Sequence, residues 1–444
     1  MTAAPASRLA VVGAGWAGLT AAVQAVSDGW SVTLFDMSGD PGGRARTVEV
    51  DGRVCDNGQH ILVGAYSVTL AQMRRVGVDP AVVLMRCPLT LVEPDGKGLR
   101  LRAGHPITSF AAAVLSHPRW TLAVRLGVLR RAATWALRGF EAGPHRTVAD
   151  LCRGWPEAAL RDLIEPLCVA ALNTPAQEAS AVVFLRVLRD ALFSGPGASD
   201  LLLPSAPLGE LFPAKALQWL QQHGAQWRPR QRVTRLEAST GAWTVDGEAF
   251  DAVVLACPAP EAARLASPHA PEWAQVAGQL QYEPIVTVLL DCPGATLASP
   301  MVSLTNGPAQ FAFDLGRVAH QPGVFSFVVS GAREWVEAGR QATADAVLAQ
   351  ALAAFPMGTW PCAPRVAAVL AEKRATFRCT AGLERPPSRV ASGLWAAGDY
   401  VAGPYPATLE GAVRAGLQAA QGVSAECRHA NEAFAMQNTA KPPA

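Results

Sequence analysis

Short apolar runs separated by turns of small residues dominate the start of the chain. An apolar, strand-like run begins at Arg8, and after a glycine-rich turn residues 19–23 continue with a helical pattern. A second apolar run follows over residues 31–35 and ends on Asp36. This order predicts a strand–turn–helix–strand unit of the kind found in parallel α/β sheets.

Two further stretches of the chain have the same strand-like character. Residues 252–255 form a buried apolar run that ends in a turn at Pro258, and Val233 lies in a shorter run before it. Residues 393–397 form another run, which is followed by proline-rich turns and a helical pattern over residues 408–421. We expect these stretches to assemble in space with the first unit, since no single piece can bury its own apolar faces.

The separated strands predict a discontinuous nucleotide-binding domain with a second domain inserted between its parts. The nucleotide-binding parts are predicted at residues 1–94, 216–259 and 386–430. The insertions, residues 95–215 and 260–385, are expected to form an α+β substrate domain. A polar, alanine-rich tail over residues 431–444 is expected to be disordered.

Composition narrows the class of protein. Half of the chain is apolar, which is ample for a large core, and a net charge of only +2 gives no electrostatic case for nucleic acid. Nine cysteines are scattered without a C-x-x-C pair, which favours reduced thiols in the cytoplasm over a disulfide framework or a metal site. Neither a signal peptide nor an uncharged apolar stretch of about 18 residues is found, so no transmembrane helix is predicted.

The first insertion contains a basic, amphipathic segment. Residues 96–140 contain no Asp or Glu, but they carry Lys97 and several arginines among leucines and the tryptophans Trp120 and Trp135. Such a segment is typical of a peripheral contact with a membrane surface. A pair of soluble helices with solvated arginines explains the pattern equally well, so both interpretations stay open.

A glycine-rich turn joins the first predicted strand to the first predicted helix. Gly13, Gly15 and Gly18 form the pattern G-x-G-x-x-G in its expected place. Gly13 permits the tight turn, Gly15 lets the backbone approach a pyrophosphate, and Gly18 lets helix and strand pack closely. Asp36 follows about twenty residues on, where its carboxylate would accept hydrogen bonds from a ribose 2′-OH and repel a 2′-phosphate. The pattern predicts a dinucleotide site.

A second glycine turn indicates which dinucleotide is bound. Gly42, Gly43 and Arg44 follow Asp36 almost at once. This turn resembles the extended fingerprint of FAD enzymes of the amine oxidase and phytoene desaturase superfamily, which NAD dehydrogenases usually lack. The resemblance implies an α/β fold, with a Rossmann-type FAD-binding domain and an inserted α+β substrate domain. It also implies that Arg44 adds positive charge beside the pyrophosphate and the ribityl chain.

A motif near the end of the chain resembles the second FAD signature of the same superfamily. Gly398 and Asp399 are expected to meet the ribityl and pyrophosphate region. The helix that begins near Thr408, Leu409 and Glu410 is expected to point backbone N–H groups at flavin O2, where negative charge sits in the reduced anion. The other candidate cofactor-binding residues are Trp16, Ala17, Gly58, Gln59 and Val233.

Two residues are candidates for proton chemistry at the flavin ring. In the superfamily, the segment that corresponds to residues 54–61 passes beside the isoalloxazine ring. His60 could therefore donate to a flavin carbonyl, protonate a leaving group or only orient the backbone. Tyr405 lies in the C-terminal motif, which is also expected at the ring. His60 and Tyr405 are thus the predicted catalytic residues.

Four segments narrow the resemblance within the superfamily. They are residues 56–66, 166–175, 184–188 and 405–412. Together they resemble the squalene-associated FAD-dependent desaturases, a family of hydroxysqualene dehydroxylases in bacterial hopanoid pathways, over nearly the whole chain. The resemblance implies a lipophilic isoprenoid substrate, and a reaction in which hydride from FADH2 reduces hydroxysqualene to squalene with loss of water.

Other functions stay open from the sequence. A carotenoid-type desaturase would use the same motifs but move hydride from a polyene to FAD. An amine oxidase is disfavoured because Thr408 stands where amine oxidases have an aromatic residue that helps to cage the amine. A flavin-containing lipid-binding protein without turnover is a further alternative. Only one dinucleotide fingerprint is present, so the expected electron donor is either a transiently bound reduced nicotinamide or a partner reductase.

Overall fold

The computed structural model describes residues 6–50, 52–239 and 241–439. The first part of the chain forms β1 (Arg8–Val12), α1 (Trp16–Ser27), β2 (Ser31–Phe35), β3 (Thr47–Val50), β4 (Arg53–Asp56), β5 (Leu62–Val63), α2 (Ser67–Arg75), α3 (Pro80–Val83), β6 (Leu84–Cys87), β7 (Thr90–Val92) and β8 (Gly98–Arg100). The next part forms α4 (Pro106–Leu115), α5 (Leu122–Leu137), α6 (Val148–Leu151), α7 (Glu157–Ala159), a π-helical turn (Leu160–Ile164), α8 (Glu165–Leu172), α9 (Ala181–Phe193), β9 (Leu201–Pro204), α10 (Leu208–Leu211) and α11 (Pro213–Gln222). The remainder forms β10 (Gln226–Arg228), β11 (Leu236–Ser239), β12 (Ala242–Val245), β13 (Glu248–Phe250), β14 (Ala252–Leu255), α12 (Ala259–Ala266), α13 (Pro271–Gly278), β15 (Tyr282–Asp291), β16 (Met301–Ser303), β17 (Phe311–Asp314), α14 (Leu315–Val318), β18 (Val324–Val329), α15 (Arg333–Ala338), α16 (Arg340–Ala354), β19 (Arg365–Phe377), β20 (Arg389–Ala391), β21 (Leu394–Ala396) and α17 (Leu409–Thr439).

A six-stranded sheet forms the centre of one half of the molecule. Its strand order is β10-β2-β1-β14-β21-β20, and neighbours pair in parallel except for β20 and β21, which are antiparallel. These strands come from the three separated segments that the sequence assigns to the nucleotide-binding domain. The predicted α/β fold is confirmed, because helices pack against this mostly parallel sheet of buried apolar strands.

Helices α1 and α17 lie against each other beside this sheet. A Cβ on Gly416 would lie 2.3 Å from the carbonyl oxygen of Ala17, so this glycine lets the two helix backbones touch. Helix α17 continues to Thr439, well past the predicted end near residue 421. The tail that we predict to be disordered therefore starts inside a helix, and residues 440–444 lie outside the described residues.

The other half of the molecule contains an antiparallel sheet and the helices that follow β8. The strand order of this sheet is β16-β17-β18-β15-β19. Leu202 and the segment 208–212, within the predicted insertion, contribute side chains to the core around α1, where the ring of Phe212 lies 5.1 Å from that of Trp16, whereas Leu201 and Leu203 pack into the other core. Within the described ranges, none of the helices combines enough length and apolar character to cross a bilayer.

Candidate active site

Two glycines of the first turn are required by packing alone. Gly13 follows β1 with a φ of +111°, and a Cβ on it would lie 2.6 Å from the carbonyl oxygen of Ala256, just after the neighbouring strand β14. A Cβ on Gly18 would lie 1.8 Å from the carbonyl oxygen of Gly13 and 2.9 Å from the Cβ of Ala256. Helix α1 can therefore approach the sheet only without these side chains.

Gly15 differs, because the space in front of it is open. A Cβ on Gly15 would have only the Cα of Gly43 within 4 Å, at 3.9 Å. The two predicted glycine turns meet here, since Gly15 and Gly42 form a parallel bridge and the Gly42 N–H donates to the carbonyl oxygen of Ala14 at 2.8 Å. The result is a cradle of backbone at the N-terminus of α1, which is suited to a pyrophosphate. Trp16 and Ala17, in the first turn of α1, are buried.

Asp36 lies beside this cradle, at the carboxyl end of β2. Its carboxylate accepts the N–H of Ala14 at 2.6 Å and the N–H of Ser38 at 2.7 Å, so it also fixes the glycine turn. The carbonyl oxygen of Asp36 accepts the N–H of Gln231, which brings the buried Val233 segment to the same side. A carboxylate has capacity for more than two hydrogen bonds, so a ribose hydroxyl fits the predicted role.

Arg44 and Asp399 form an ion pair that links distant parts of the chain. An Nη atom of Arg44 lies 2.6 Å from Oδ1 of Asp399, and the other donates to the carbonyl oxygen of Ala375 in β19 at 2.8 Å. Burial is the largest single influence on the pKa of Arg44 and lowers it, but the charge of Asp399, its hydrogen bond and further nearby acidic groups together raise the pKa above its usual value. Arg44 therefore already pairs with Asp399 in this region, and its predicted contribution of positive charge beside the pyrophosphate stays a prediction.

Tyr400 is a residue that sequence reasoning missed. Its side chain is 2% exposed, and its hydroxyl has no hydrogen-bond partner among the described residues. Tyr400 lies in the same region as Asp399 and Arg44, since the charges of both residues influence the pKa of its hydroxyl. A buried unpaired hydroxyl calls for a partner, so this atom fits a bound polar group. The sequence signal that could have identified Tyr400 is its position directly after Gly398 and Asp399.

His60 lies where the two halves of the molecule meet. Its Nδ1 is 3.2 Å from the carbonyl oxygen of Gly58, and a Cβ on Gly58 would lie 3.9 Å from the Oγ1 of Thr287 in β15. Gln59, between them, is half-buried. Burial, and then the charge of Arg44, lower the pKa of His60, so its imidazole is neutral near pH 7. A neutral imidazole does not supply a proton as an imidazolium does.

The side chains at the N-terminus of α17 form contacts within the protein. Glu410 is fully buried, but its carboxylate accepts the N–H groups of Val68 and Thr69 at 3.2 and 2.8 Å, and the Thr69 hydroxyl at 2.7 Å. It also pairs with Nε of Arg414 at 2.8 Å. Glu410 thus caps α2, and its carboxylate is not available to a cofactor. Thr408 caps α17 by accepting the Gly411 N–H at 3.1 Å.

The backbone of α17 remains suited to the predicted contact. The N–H groups of Leu409 and Glu410 have no acceptor within the helix, because the first turn of any helix leaves them unpaired. They also lie at the positive end of the helix dipole. The backbone contact with the flavin that the sequence predicts for residues 408–410 stays a prediction, and these N–H groups are the donors suited to it.

Tyr405 belongs to a polar cluster that reaches into the inserted helices. Its hydroxyl donates to Oδ2 of Asp190 in α9 at 2.6 Å, and Nε of Arg186 contacts the same oxygen at 2.9 Å. The guanidinium groups of Arg186 and Arg414 lie 5.3 and 5.1 Å from the centre of its ring. Burial and then the bond to Asp190 raise the pKa of Tyr405, so it is protonated near pH 7.

The sequence did not identify Asp190 or Arg186. The available signal was their spacing of four, and Arg186 lies in the segment 184–188 that resembles the desaturase family. The contacts described above bring the two glycine turns together. Other contacts bring Arg44 to Asp399, and Tyr405 to the first turns of α17. They do not join His60 directly to Tyr405.

The fold and this site define a dinucleotide-binding oxidoreductase built around a flavin. Residues 16–424 match the family of flavin-containing amine oxidoreductases, and the chain belongs to this family. The protein is therefore an FAD-dependent oxidoreductase, as predicted.

Curated relatives match the chain along nearly its whole length. Proteins from Zymomonas mobilis and Rhodopseudomonas palustris, both named hydroxysqualene dehydroxylase, are 26% and 27% identical to it. These alignments cover 92% and 94% of this chain and 97% and 98% of the relatives. A zeta-carotene desaturase from Synechocystis is 24% identical, with coverage of 94% and 97%. The predicted resemblance to hydroxysqualene dehydroxylases is confirmed.

Solved structures confirm the fold. An oxidoreductase from Methanosarcina mazei superposes with a TM-score of 0.71 at 15% identity, over 93% of this chain and 99% of its own. Cyclohexylamine oxidase from Brevibacterium oxydans gives a TM-score of 0.68 at 15% identity, over 96% and 100%.

Proposed function

We propose that this protein reduces hydroxysqualene to squalene in bacterial hopanoid biosynthesis. The observation that carries the proposal is the end-to-end match to relatives named hydroxysqualene dehydroxylase, which includes one from Sinorhizobium fredii at 24% identity. The match spans both the nucleotide-binding segments and the insertions, so it includes the part of the chain expected to hold the substrate.

The proposed reaction breaks one C–O bond and forms one C–H bond. The hydroxyl of hydroxysqualene is allylic, so protonation lets it leave as water and gives a delocalised cation. When FADH2 is bound, it supplies the hydride that this carbon accepts. One proton and one hydride are consumed, and squalene and water are formed. A pocket that excludes water favours this outcome, because water would otherwise recapture the cation.

Tyr405 is the residue that we propose as the proton donor. It is protonated near pH 7, whereas His60 is neutral there. Burial and Asp190 disfavour the phenolate that loss of the Tyr405 proton would leave, and the cations of Arg186 and Arg414 would partly offset this cost. Asp190 orients the Tyr405 hydroxyl and is a positioning residue. His60 is left with a role in orienting the segment beside the ring.

A carotenoid-type desaturase is the second candidate. The full-length similarity to a zeta-carotene desaturase favours it, and the same site would then accept hydride from a polyene. An amine oxidase has less support, because Thr408 caps α17 where an aromatic cage residue would be required.

Product analysis in both directions distinguishes these candidates. Chemically reduced enzyme is incubated anaerobically with hydroxysqualene, and oxidised enzyme is incubated with phytoene and with zeta-carotene. Chemical reduction makes the test independent of the natural electron donor, which we expect to be a reduced nicotinamide or a partner reductase. Formation of squalene supports the proposal. Desaturation of a carotene with no squalene formed would contradict it.

A further inference from the structure

Exposed apolar side chains are concentrated on three adjoining helices. Helix α4 packs against both α5 and α9. Of the thirteen large apolar residues that are exposed in the described part of the chain, seven lie on these helices: Ile107, Leu115, Leu122, Leu126, Leu137, Val182 and Phe193. Such clustering marks a surface that binds something, because single exposed apolar residues are normally scattered.

The exposed residues of α5 form a stripe along one side of the helix. Leu122, Leu126 and Leu137 are 64%, 53% and 89% exposed, and at 3.6 residues per turn they fall within about 60° of one another. Val128, on the opposite side, is fully buried. Helix α5 therefore has an inner side that packs in the core and an outer apolar side that no other part of the described chain covers.

The ends of α5 and α9 come together. Phe140, just after α5, makes an edge-to-face contact with Phe193 at the end of α9, with ring centres 5.1 Å apart. Phe193 is 48% exposed, and Leu137 is one turn before Phe140. The outer stripe of α5 therefore continues onto the end of α9.

The charged side chains of residues 96–140 are all positive. Arg102, Arg130 and Arg138 are exposed and form no ion pair with any residue in the described ranges, and residues 96–140 contain no acid. Other arginines of the segment are used internally. Arg119 pairs with acidic residues of the loop between β7 and β8. Arg125 donates to the carbonyl oxygens of Leu115 and His117. The unpaired cations favour an anionic partner.

The tryptophans of the segment point inward. Trp120 is 3% exposed and donates to Asp162, and Trp135 stacks on Trp155 with ring centres 4.8 Å apart. The tryptophans, which made the sequence resemble an interfacial segment, therefore belong to the core. Leucines and arginines form the outer surface instead.

We propose that the outer faces of α4, α5 and α9 bind the surface of an anionic lipid bilayer. Apolar side chains would enter the boundary between head groups and acyl chains, and Arg102, Arg130 and Arg138 would meet the lipid phosphates. This binding does not depend on the identity of the substrate. If the proposed function holds, α9 would link the bilayer to the candidate site, because Asp190 of α9 binds Tyr405.

Vesicle flotation with the full-length, FAD-loaded protein tests this proposal. Wild type is expected to float with vesicles of phosphatidylcholine and phosphatidylglycerol, and less with phosphatidylcholine alone. The triple variant L122Q/L126Q/L137Q is expected to bind at least about 100-fold more weakly, since three exposed leucines no longer enter the lipid. The variant R130Q/R138Q is expected to bind the anionic vesicles about 20-fold more weakly than wild type does. Its binding to vesicles of phosphatidylcholine alone should not change.

A matched control is available elsewhere on the surface. Leu352, Met357 and Val366 are also exposed, at 55%, 103% and 36%, but they lie outside these helices. The variant L352Q/M357Q/V366Q should float like wild type. Equal binding by the two triple variants, or no flotation of wild type, would overturn the proposal.

A second copy of this chain is the alternative occupant. Light scattering over a range of protein concentrations detects it. If L122Q/L126Q/L137Q abolishes a dimer but leaves vesicle binding unchanged, the surface is an interface between copies and the membrane proposal is wrong. Activity on hydroxysqualene in detergent is assayed separately, so failure of the proposed reaction would not affect this result.

Discussion

The turn before α1 and the turn before α17 are both predicted to contact the cofactor, but the protein uses their residues differently. In the first turn, Gly13 and Gly18 have no space for a side chain, while Gly15 faces open space. In the second turn, the Glu410 carboxylate caps α2 and the Tyr405 hydroxyl binds α9. The first turn is a backbone cradle, whereas the second joins separate parts of the chain and leaves its backbone N–H groups for the cofactor.

The largest expected effects come from replacing two glycines of the first turn by alanine, and the two variants should fail in different ways. Gly18→Ala should destabilise the fold by more than about 4 kcal/mol, because its Cβ would collide with backbone. Gly15→Ala should fold normally but bind FAD at least about tenfold more weakly, since its methyl group would occupy the cradle and displace a charge-assisted hydrogen bond. Thermal unfolding and flavin titration of both variants measure this. Normal FAD affinity in Gly15→Ala would contradict the cradle.

The Tyr405 hydroxyl provides the next test. Tyr405→Phe should keep its flavin spectrum and lower kcat by about 10²–10⁴-fold, the range expected for loss of a general acid. Asp190→Asn should lower kcat less and change its pH profile, because the hydroxyl loses its orienting partner but keeps its proton. Undiminished kcat in Tyr405→Phe would remove this residue from the proposed mechanism.

Glu410 tests whether the second turn is structural. Glu410→Ala should lower the free energy of unfolding by about 3 kcal/mol, because it removes the acceptor of three donors in α2 and the partner of Arg414. Glu237→Ala is the matched control, since Glu237 forms an exposed pair with Arg235 and should cost less than about 1 kcal/mol. Urea unfolding compares them. Equal losses would show that Glu410 is not the cap described here.

Asp36 is expected to have a smaller effect on cofactor binding. Asp36→Ala should weaken FAD binding by about tenfold, because one charge-assisted hydrogen bond to the ribose is lost and the turn at Ala14 loosens. Flavin retained after dialysis measures the change. Full occupancy would argue against the ribose contact and leave Asp36 only as a support for the turn.

His60 should produce the smallest effect, on the pH dependence of stability. Burial lowers its pKa in the folded state, so below about pH 6.5 the unfolded chain binds the proton more readily. Stability is therefore lost as pH falls through this range. His60→Gln should make the decline shallower in urea unfolding from pH 7 to pH 5.5. An unchanged slope would mean that His60 is not held neutral in the fold.

Much of the first turn could be predicted from sequence, because its constraints are local. Gly13, Gly15 and Gly18 are close in sequence, and the turn between a strand and a helix restricts them directly. The roles of Glu410 and Tyr405 could not be predicted, since their partners are hundreds of residues away along the chain. The pairing of Arg44 with Asp399 could not be predicted either, because these two residues are also far apart along the chain.

Composition was a weaker guide to the inserted helices. The basic pattern of residues 96–140 predicted an amphipathic segment, but it could not show which side chains face outward. Trp120 is buried in the core and the half-buried Trp135 packs against it, while leucines of α5 are exposed. Burial depends on neighbours such as Trp155 and Asp162, which lie outside the segment. Periodicity alone does not identify such neighbours.

A single-turnover measurement tests the central claim most directly. Anaerobically reduced enzyme is mixed with one equivalent of hydroxysqualene in D2O, and the oxidised-flavin absorbance and the products are followed together. We predict that the absorbance returns as an equal amount of squalene forms, with deuterium at the carbon that lost the hydroxyl. Absorbance that does not return, with hydroxysqualene recovered unchanged, would contradict the proposed reaction.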